Sequence, residues 1–206
     1  NLLLPDLLVS VTSEQSRGSV SHQLEDYGGR VVAVELAPNR GRDIGPLLTA
    51  FGQRILADYD YVGHIHTKKT AAVKDANMGA TWYRFLLENL IGGESGGMAD
   101  RILAAMHEDP SIGMTFPDDP HVVGWGANRT VAEDLADRMG LGRLPDHWNF
   151  PVGTMFWART EALAPFVGLA LDWEDYPEEP LPYDGTLLHA IERLLPLTLP
   201  QSRLRS

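Results

Sequence analysis

The chain has no cysteine, which excludes a disulfide framework, a zinc-thiolate site and thiol catalysis, and suits a reducing compartment. Basic residues are also scarce. Seventeen Lys and Arg stand against 28 Asp and Glu, a formal net charge of -11. A nucleic-acid partner is not expected, because phosphate backbones are bound by clustered cations, and any anion site must be local. No apolar run approaches the length of a membrane span. The opening Asn1-Leu-Leu-Leu-Pro5 lacks the charged region and long apolar core of a signal peptide. These absences describe a soluble protein, at most peripheral to a membrane. What is present, 206 residues with 44% hydrophobic content, suffices for one ordinary core, and residues 1–206 read as a single domain. A chain that opens on Asn and runs at once into a strand-like segment reads as a piece of a longer polypeptide, with a first strand and further domains outside it.

Strand-like and helix-like segments alternate. Asp6 to Thr12 is apolar and partly β-branched, a helical stretch covers about 16–27, and Arg30 to Leu36 is a second strand. The loop Pro38-Asn-Arg-Gly-Arg-Asp43 leads to a helix over about 44–57, and Asp60 to His66 is a third strand. Helices are expected over 81–91 and 98–107, a strand over 111–116, and a helix over 131–139 with Thr130 and Glu133 as a capping box. This spacing predicts a layered α/β fold with a largely parallel sheet. Its ligand edge lies at the strand C-terminal ends, where the loops after Thr12, Leu36 and Ile65 converge.

Three segments carry chemistry. In Asn39-Arg-Gly-Arg-Asp43 the backbone amides and helix start face that edge. Arg40 and Arg42 add positive charge, and Asp43 caps the helix or accepts from a ribose or base. An ordinary connecting loop would use the same residues. In His64-Ile-His-Thr-Lys-Lys69, alternation sends His64 and His66 to one face, and Lys68 and Lys69 suit a diphosphate or are merely solvated. His-x-His is also a metal-ligand spacing, which makes a His66-centred hydrolase a weaker alternative. The third segment runs from Phe150 to Arg193. Its acidic loop, Glu174 to Glu179, precedes a helix that Asp184-Gly-Thr186 can cap, Asp before Gly-Thr being a common cap arrangement. On that helix Leu187, Leu188, Ile191, Leu194 and Leu195 share one arc, and His189, Glu192 and Arg193 the opposite one. Trp82, Arg84 and Trp157 offer rim residues for a sugar, although any single Trp serves packing as readily. Asn128-Arg-Thr130 matches a glycosylation sequon, which we set aside as chance.

Taken in order, Asn39 to Asp43, His64 to Lys69, Pro151-Val-Gly-Thr-Met-Phe-Trp157 and Asp184 to Arg193 resemble the rhamnan synthesis protein F family of bacterial cell-surface polysaccharide synthesis. The layout is also similar to GT-A glycosyltransferases. That resemblance implies a Rossmann-like three-layer sandwich lacking its first strand, with 1–80 as the nucleotide-sugar half and 81–206 as the acceptor and catalytic half. It implies donor binding by Thr12, Asn39, Arg42, Asp43, His64, His66, Lys68 and Lys69. His64-Ile-His66 stands where such enzymes carry the metal-binding Asp-x-Asp, so no cofactor is expected to be required, with Mg²⁺ or Mn²⁺ as the alternative. The catalytic base would come from Asp184, then Glu179, then Glu178. Trp82, Arg84, Trp157, His189, Glu192 and Arg193 would meet the acceptor or orient its loop. The function implied is inverting transfer of a sugar, rhamnose from dTDP-rhamnose by the family's name, to a polysaccharide or lipid-linked glycan at the cytoplasmic face of the membrane. A non-catalytic glycan- or nucleotide-sugar-binding module is the alternative.

Overall fold

The computed structural model describes residues 4–67, 76–93, 96–119, 121–122 and 124–199. Strand β1 (Leu7–Val11) is followed by α1 (Glu14–Gln23), started by Ser13, whose hydroxyl accepts from the Ser16 amide. Strand β2 (Val31–Leu36) pairs with β1 in parallel. No residue of β1, α1 or β2 is buried. The expected helix after the Asn39 loop opens with a π-helical turn, Pro46–Ala50, closed by Phe51 N–H donating to the Pro46 carbonyl. Helix α2 (Gly52–Asp58) continues it, and β3 (Tyr61–His64) follows.

Helices α3 (Ala76–Leu90) and α4 (Met98–Glu108) lead to the short strand β4 (Met114–Thr115). Helix α5 (Arg129–Met139) then brings the chain to β5 (Phe156–Arg159). No side-chain cap starts α5, so Thr130 and Glu133 make no capping box; Glu133 instead accepts from Arg129, one turn earlier. The last elements are α6 (Ala164–Gly168) and α7 (Leu187–Leu194).

The sheet is less parallel than the sequence rhythm predicts. Beside the parallel β1–β2 pair stands a three-stranded sheet in the order β3-β5-β4, whose ladders are both antiparallel. Alternation of strands and helices does not fix direction; the end at which a connection re-enters the sheet does. Here β5 begins at Phe156 opposite His64, the last residue of β3. The turn preceding β5 therefore lies against the end of β3.

Asp6, just before β1, accepts from the Tyr59 hydroxyl at 2.9 Å, and Tyr59 lies just before β3. β1 and β3 thus start from the same edge. Ile44, Leu47, Leu48, Phe156, Phe166, Tyr176, Ile191 and Leu194 build the main core, to which Leu8, Ala33 and Val62 contribute from the strands. A second cluster, Leu86, Leu90, Ile102, Met106, Met155 and Trp157, seats α3 and α4 on the other face.

Candidate functional site

Two strained turns meet at the end of β3. In the first, Gly41 and Arg42 have φ of 72° and 48°. A Cβ on Gly41 would stand 2.8 Å from Gly45 Cα and 2.9 Å from the Tyr176 ring, so only glycine fits there. In the second, Thr154 N–H donates to the Pro151 carbonyl at 2.8 Å and Gly153 takes φ 84°, which places glycine where a type II turn needs it. Thr154 itself follows at φ 59°. Non-glycine residues in this region cost about 1–3 kcal/mol, and such strain concentrates at functional sites.

Ionisable side chains grip the second turn. His64 Nδ1 donates to the Thr154 carbonyl at 2.6 Å, and His66 Nε2 donates to the Gly153 carbonyl at 2.7 Å. Glu192, on α7, accepts from Gly153 N–H at 2.6 Å. Both histidines thus lie on one side of the strand end, as alternation predicts. Burial holds the His64 pKa below its usual value, with Asp43 opposing that shift and His66 adding to it. Trp82 packs on the same turn, its ring 2.6 Å from where a Gly153 Cβ would stand.

Asp43 links the two turns. Its Oδ2 lies 3.8 Å from His66 Nε2, is enclosed, and takes no hydrogen bond among the described residues. An enclosed acceptor without a donor is costly, and a ligand N–H or O–H would satisfy it. The neighbouring Arg42 donates to Glu179 at 2.9 Å, and Glu179 also accepts from Leu181 N–H. The Arg42 guanidinium, aided by that amide, outweighs desolvation and lowers the Glu179 pKa. Arg40, placed by sequence reasoning in the same anion loop, donates instead to the Tyr176 and Glu174 carbonyls, which pins the acidic loop. Glu178 is exposed, 4.0 Å from Arg40.

Asp184 is held firmly. Its Oδ1 accepts from Asn128 Nδ2 at 2.5 Å and its Oδ2 from Ala127 N–H at 3.0 Å, with Arg193 at 3.8 Å. Burial would raise its pKa, but these donors together bring it below the usual carboxylate range. The cap of α7 is Thr186, not Asp184: the Thr186 hydroxyl meets the His189 amide and, at 2.8 Å, His189 Nδ1. Burial lowers the His189 pKa, within the fields of Asp184, Arg193, Arg42 and Asp43. The polar arc of α7 is therefore packed rather than solvated. Arg193, its side chain 8% exposed, binds the Gly124 and His189 carbonyls and pairs with Glu192.

The structure thus gathers Arg42, Asp43, His64, His66, Glu179, Asp184, His189, Glu192 and Arg193, with Trp82 beside them. Thr12 and Asn39 are exposed in the loops after β1 and β2. Arg84 pairs with Glu88 on α3 rather than with the cluster. Trp157 is not a rim residue: its indole donates to the Leu90 carbonyl and its ring covers Gly63 in the second core cluster. Lys68 and Lys69 lie outside the described residues. Sequence reasoning missed Asn128, which is fully buried and also accepts from Gly185 N–H at 2.8 Å. The sequon drew attention to this residue for the wrong chemistry.

Among the described residues no three His, Cys, Asp or Glu side chains gather as metal ligands, and His64 and His66 each commit one ring nitrogen to a backbone carbonyl. No helix among the described residues is long and apolar enough to cross a membrane.

The fold and this cluster define an α/β domain with a polar site at a strand-end edge. The model of the family described as Rhamnan synthesis protein F matches residues 3–202, and the chain belongs to that family. It is 34% identical over 172 residues to the uncharacterized protein WxcX of Xanthomonas campestris pv. campestris, in strain B100 and equally in strain ATCC 33913. The match covers 82% of this chain but 24% of those relatives, so the chain spans about a quarter of their length. No solved structure matches. The family's description names rhamnan synthesis.

Proposed function

We propose that this domain is an inverting glycosyltransferase of GT-A type, moving a sugar from a nucleoside diphosphate to a polysaccharide or lipid-linked glycan at the cytoplasmic membrane face. The observation that carries the proposal is the convergence of Arg42 and Asp43, from the loop after β2, with His64 and His66 at the end of β3 and with the acidic loop before α7. Arg42 supplies positive charge for the diphosphate, and Asp43 Oδ2 supplies an enclosed acceptor for a ribose or base donor. Rhamnose and dTDP follow from the family description alone.

In the transfer, the acceptor oxygen forms a bond to the anomeric carbon while the bond to the departing diphosphate oxygen breaks. The hydroxyl proton passes to a carboxylate. Asp184 is the first candidate, ionised at neutral pH and fixed by Asn128, with Glu179 and Glu178 after it. The GT-A sheet would be completed by one more parallel strand between β1 and β3, joining the two sheets into one. Two features support this: parallel strands are normally buried on both faces whereas no residue of β1 or β2 is more than partly buried, and Tyr59 already bridges to Asp6 beside the gap.

A glycan- or nucleotide-sugar-binding module without turnover is the second possibility. It is favoured by the donors that hold Asp184 and Glu179, since a carboxylate so stabilised is a weak base. Calorimetric titration with dTDP, UDP and GDP, with and without Mg²⁺ or Mn²⁺, separates these outcomes when combined with a turnover assay. The transferase predicts selective binding of one diphosphate, weakened at least tenfold in Arg42→Ala, and product formation lost in Asp184→Asn or Glu179→Gln with binding retained. Binding without product in the parent chain favours the module, and absence of any nucleotide binding overturns the donor site.

A further inference from the structure

Tyr183 is 92% exposed, far more than any other large apolar side chain among the described residues. A phenol ring in solvent contributes no packing, yet its backbone is fixed on both sides. Leu181 N–H is held by Glu179, which is itself held by Arg42; Asp184, the next residue, is held by Asn128 and Ala127. A rigid arm therefore presents a free aromatic face one residue from the first candidate base. With only two side-chain torsions, the ring is immobilised on binding at little entropic cost.

Two ligand classes stack on such a ring, a nucleobase and the apolar C–H face of a sugar. Local charge decides between them. Glu174, Asp175, Glu178 and Glu179 occupy the segment just before Tyr183. With Arg40 beside Glu178 and Arg42 beside Glu179 the segment still carries net negative charge, which opposes a diphosphate at the ring, while carboxylates readily accept from sugar hydroxyls. We propose that Tyr183 is the stacking platform of the acceptor subsite and takes a neutral sugar ring next to Asp184. This rests on the glycosyltransferase proposal for the cluster but adds a residue and a ligand class to it.

The test is saturation-transfer NMR on the full chain, with methyl α-L-rhamnoside and a rhamnan oligosaccharide as probes and dTDP titrated separately. Saturation of sugar ring protons is expected in the parent chain, reduced at least fivefold in Tyr183→Ala and retained in Tyr183→Phe and Tyr183→Trp, with dTDP affinity unchanged in all three. The exposed position leaves folding intact, which circular dichroism checks. The proposal is overturned if neither sugar receives saturation from the parent chain, if Tyr183→Ala leaves the sugar signal unchanged, or if that variant weakens dTDP instead, which would make the ring a nucleobase platform. Failure of dTDP to bind the parent chain defeats the donor site; a sugar signal that disappears in Tyr183→Ala would still support the platform.

Discussion

The unit β1-α1-β2 and the body built on β5 and α7 are held together in opposite ways. The first has no fully buried residue, and its helix carries Val20 as its one large apolar side chain. In the second, Phe156, Ala158, Ala190 and Leu194 are wholly buried, and even Arg193 is enclosed among carbonyls and carboxylates. The candidate site lies where the two meet. Arg42 and Asp43 arrive on the loop that leaves the open unit, whereas Asp184, His189 and Glu192 belong to the packed body. Side chains on a loop from the thinly packed unit thus meet side chains fixed in the packed body.

The largest effect should come from truncation in the packed body. Phe156→Ala is expected to cost about 3–5 kcal/mol in denaturant unfolding, whereas Val9→Ala in β1 costs about 1 kcal/mol. Equal costs would break the contrast. Next, Asn128→Ala leaves the Asp184 carboxylate and the Gly185 amide without their partner and is expected to cost about 1–3 kcal/mol. NMR titration should also find the Asp184 pKa raised towards ordinary values, and an unmoved pKa would mean that Ala127 and Arg193 suffice.

Acid should act at the seam. The folded pKa of His64 lies below its unfolded value of about 6.5, so the unfolded chain takes up the proton first as pH falls. Its contribution is therefore complete above about 6.5 and is lost as pH falls towards the folded value. His64→Gln should flatten the fall in stability below pH 6.5. His66, Asp43 and the Thr154 carbonyl face this ring, and an unchanged pH profile in that variant would shift the dependence to His189. The smallest change is expected from Thr154→Gly, which relieves the left-handed strain and raises stability by about 0.5–1 kcal/mol after the entropy cost of glycine. A drop in the melting temperature would show that the threonine side chain is needed.

Much of this was legible in order along the chain. The β-branched runs at Val9, Val31 and Val62 marked strands, and the apolar arc from Leu187 to Leu195 marked α7 with its polar opposite face. His64 and His66 were legible as a same-side pair because side chains alternate along a strand. Other features were not. The direction of β5, the burial of Trp157 and the enclosure of Arg193 depend on residues far apart in sequence meeting in space, to which local periodicity is blind. Asp184 looked like a helix cap because Asp before Gly-Thr suits one. The cap fell to Thr186, and Asp184 was drawn by Asn128 to a loop 56 residues away.

The sequence by itself determined the first three strands and most of the helices, the absence of thiol chemistry, the acidic balance and the family, since these depend on residue type and local spacing. Only the tertiary structure decided which side chains share the site. The antiparallel return of β5 carries the Gly153-Thr154 turn to the end of β3, where His64, His66 and Glu192 hold it, and the Asn128 hydrogen bond sets Asp184 and the exposed Tyr183 at its border. Those positions follow from packing and hydrogen bonding across the whole chain, which pattern alone does not encode.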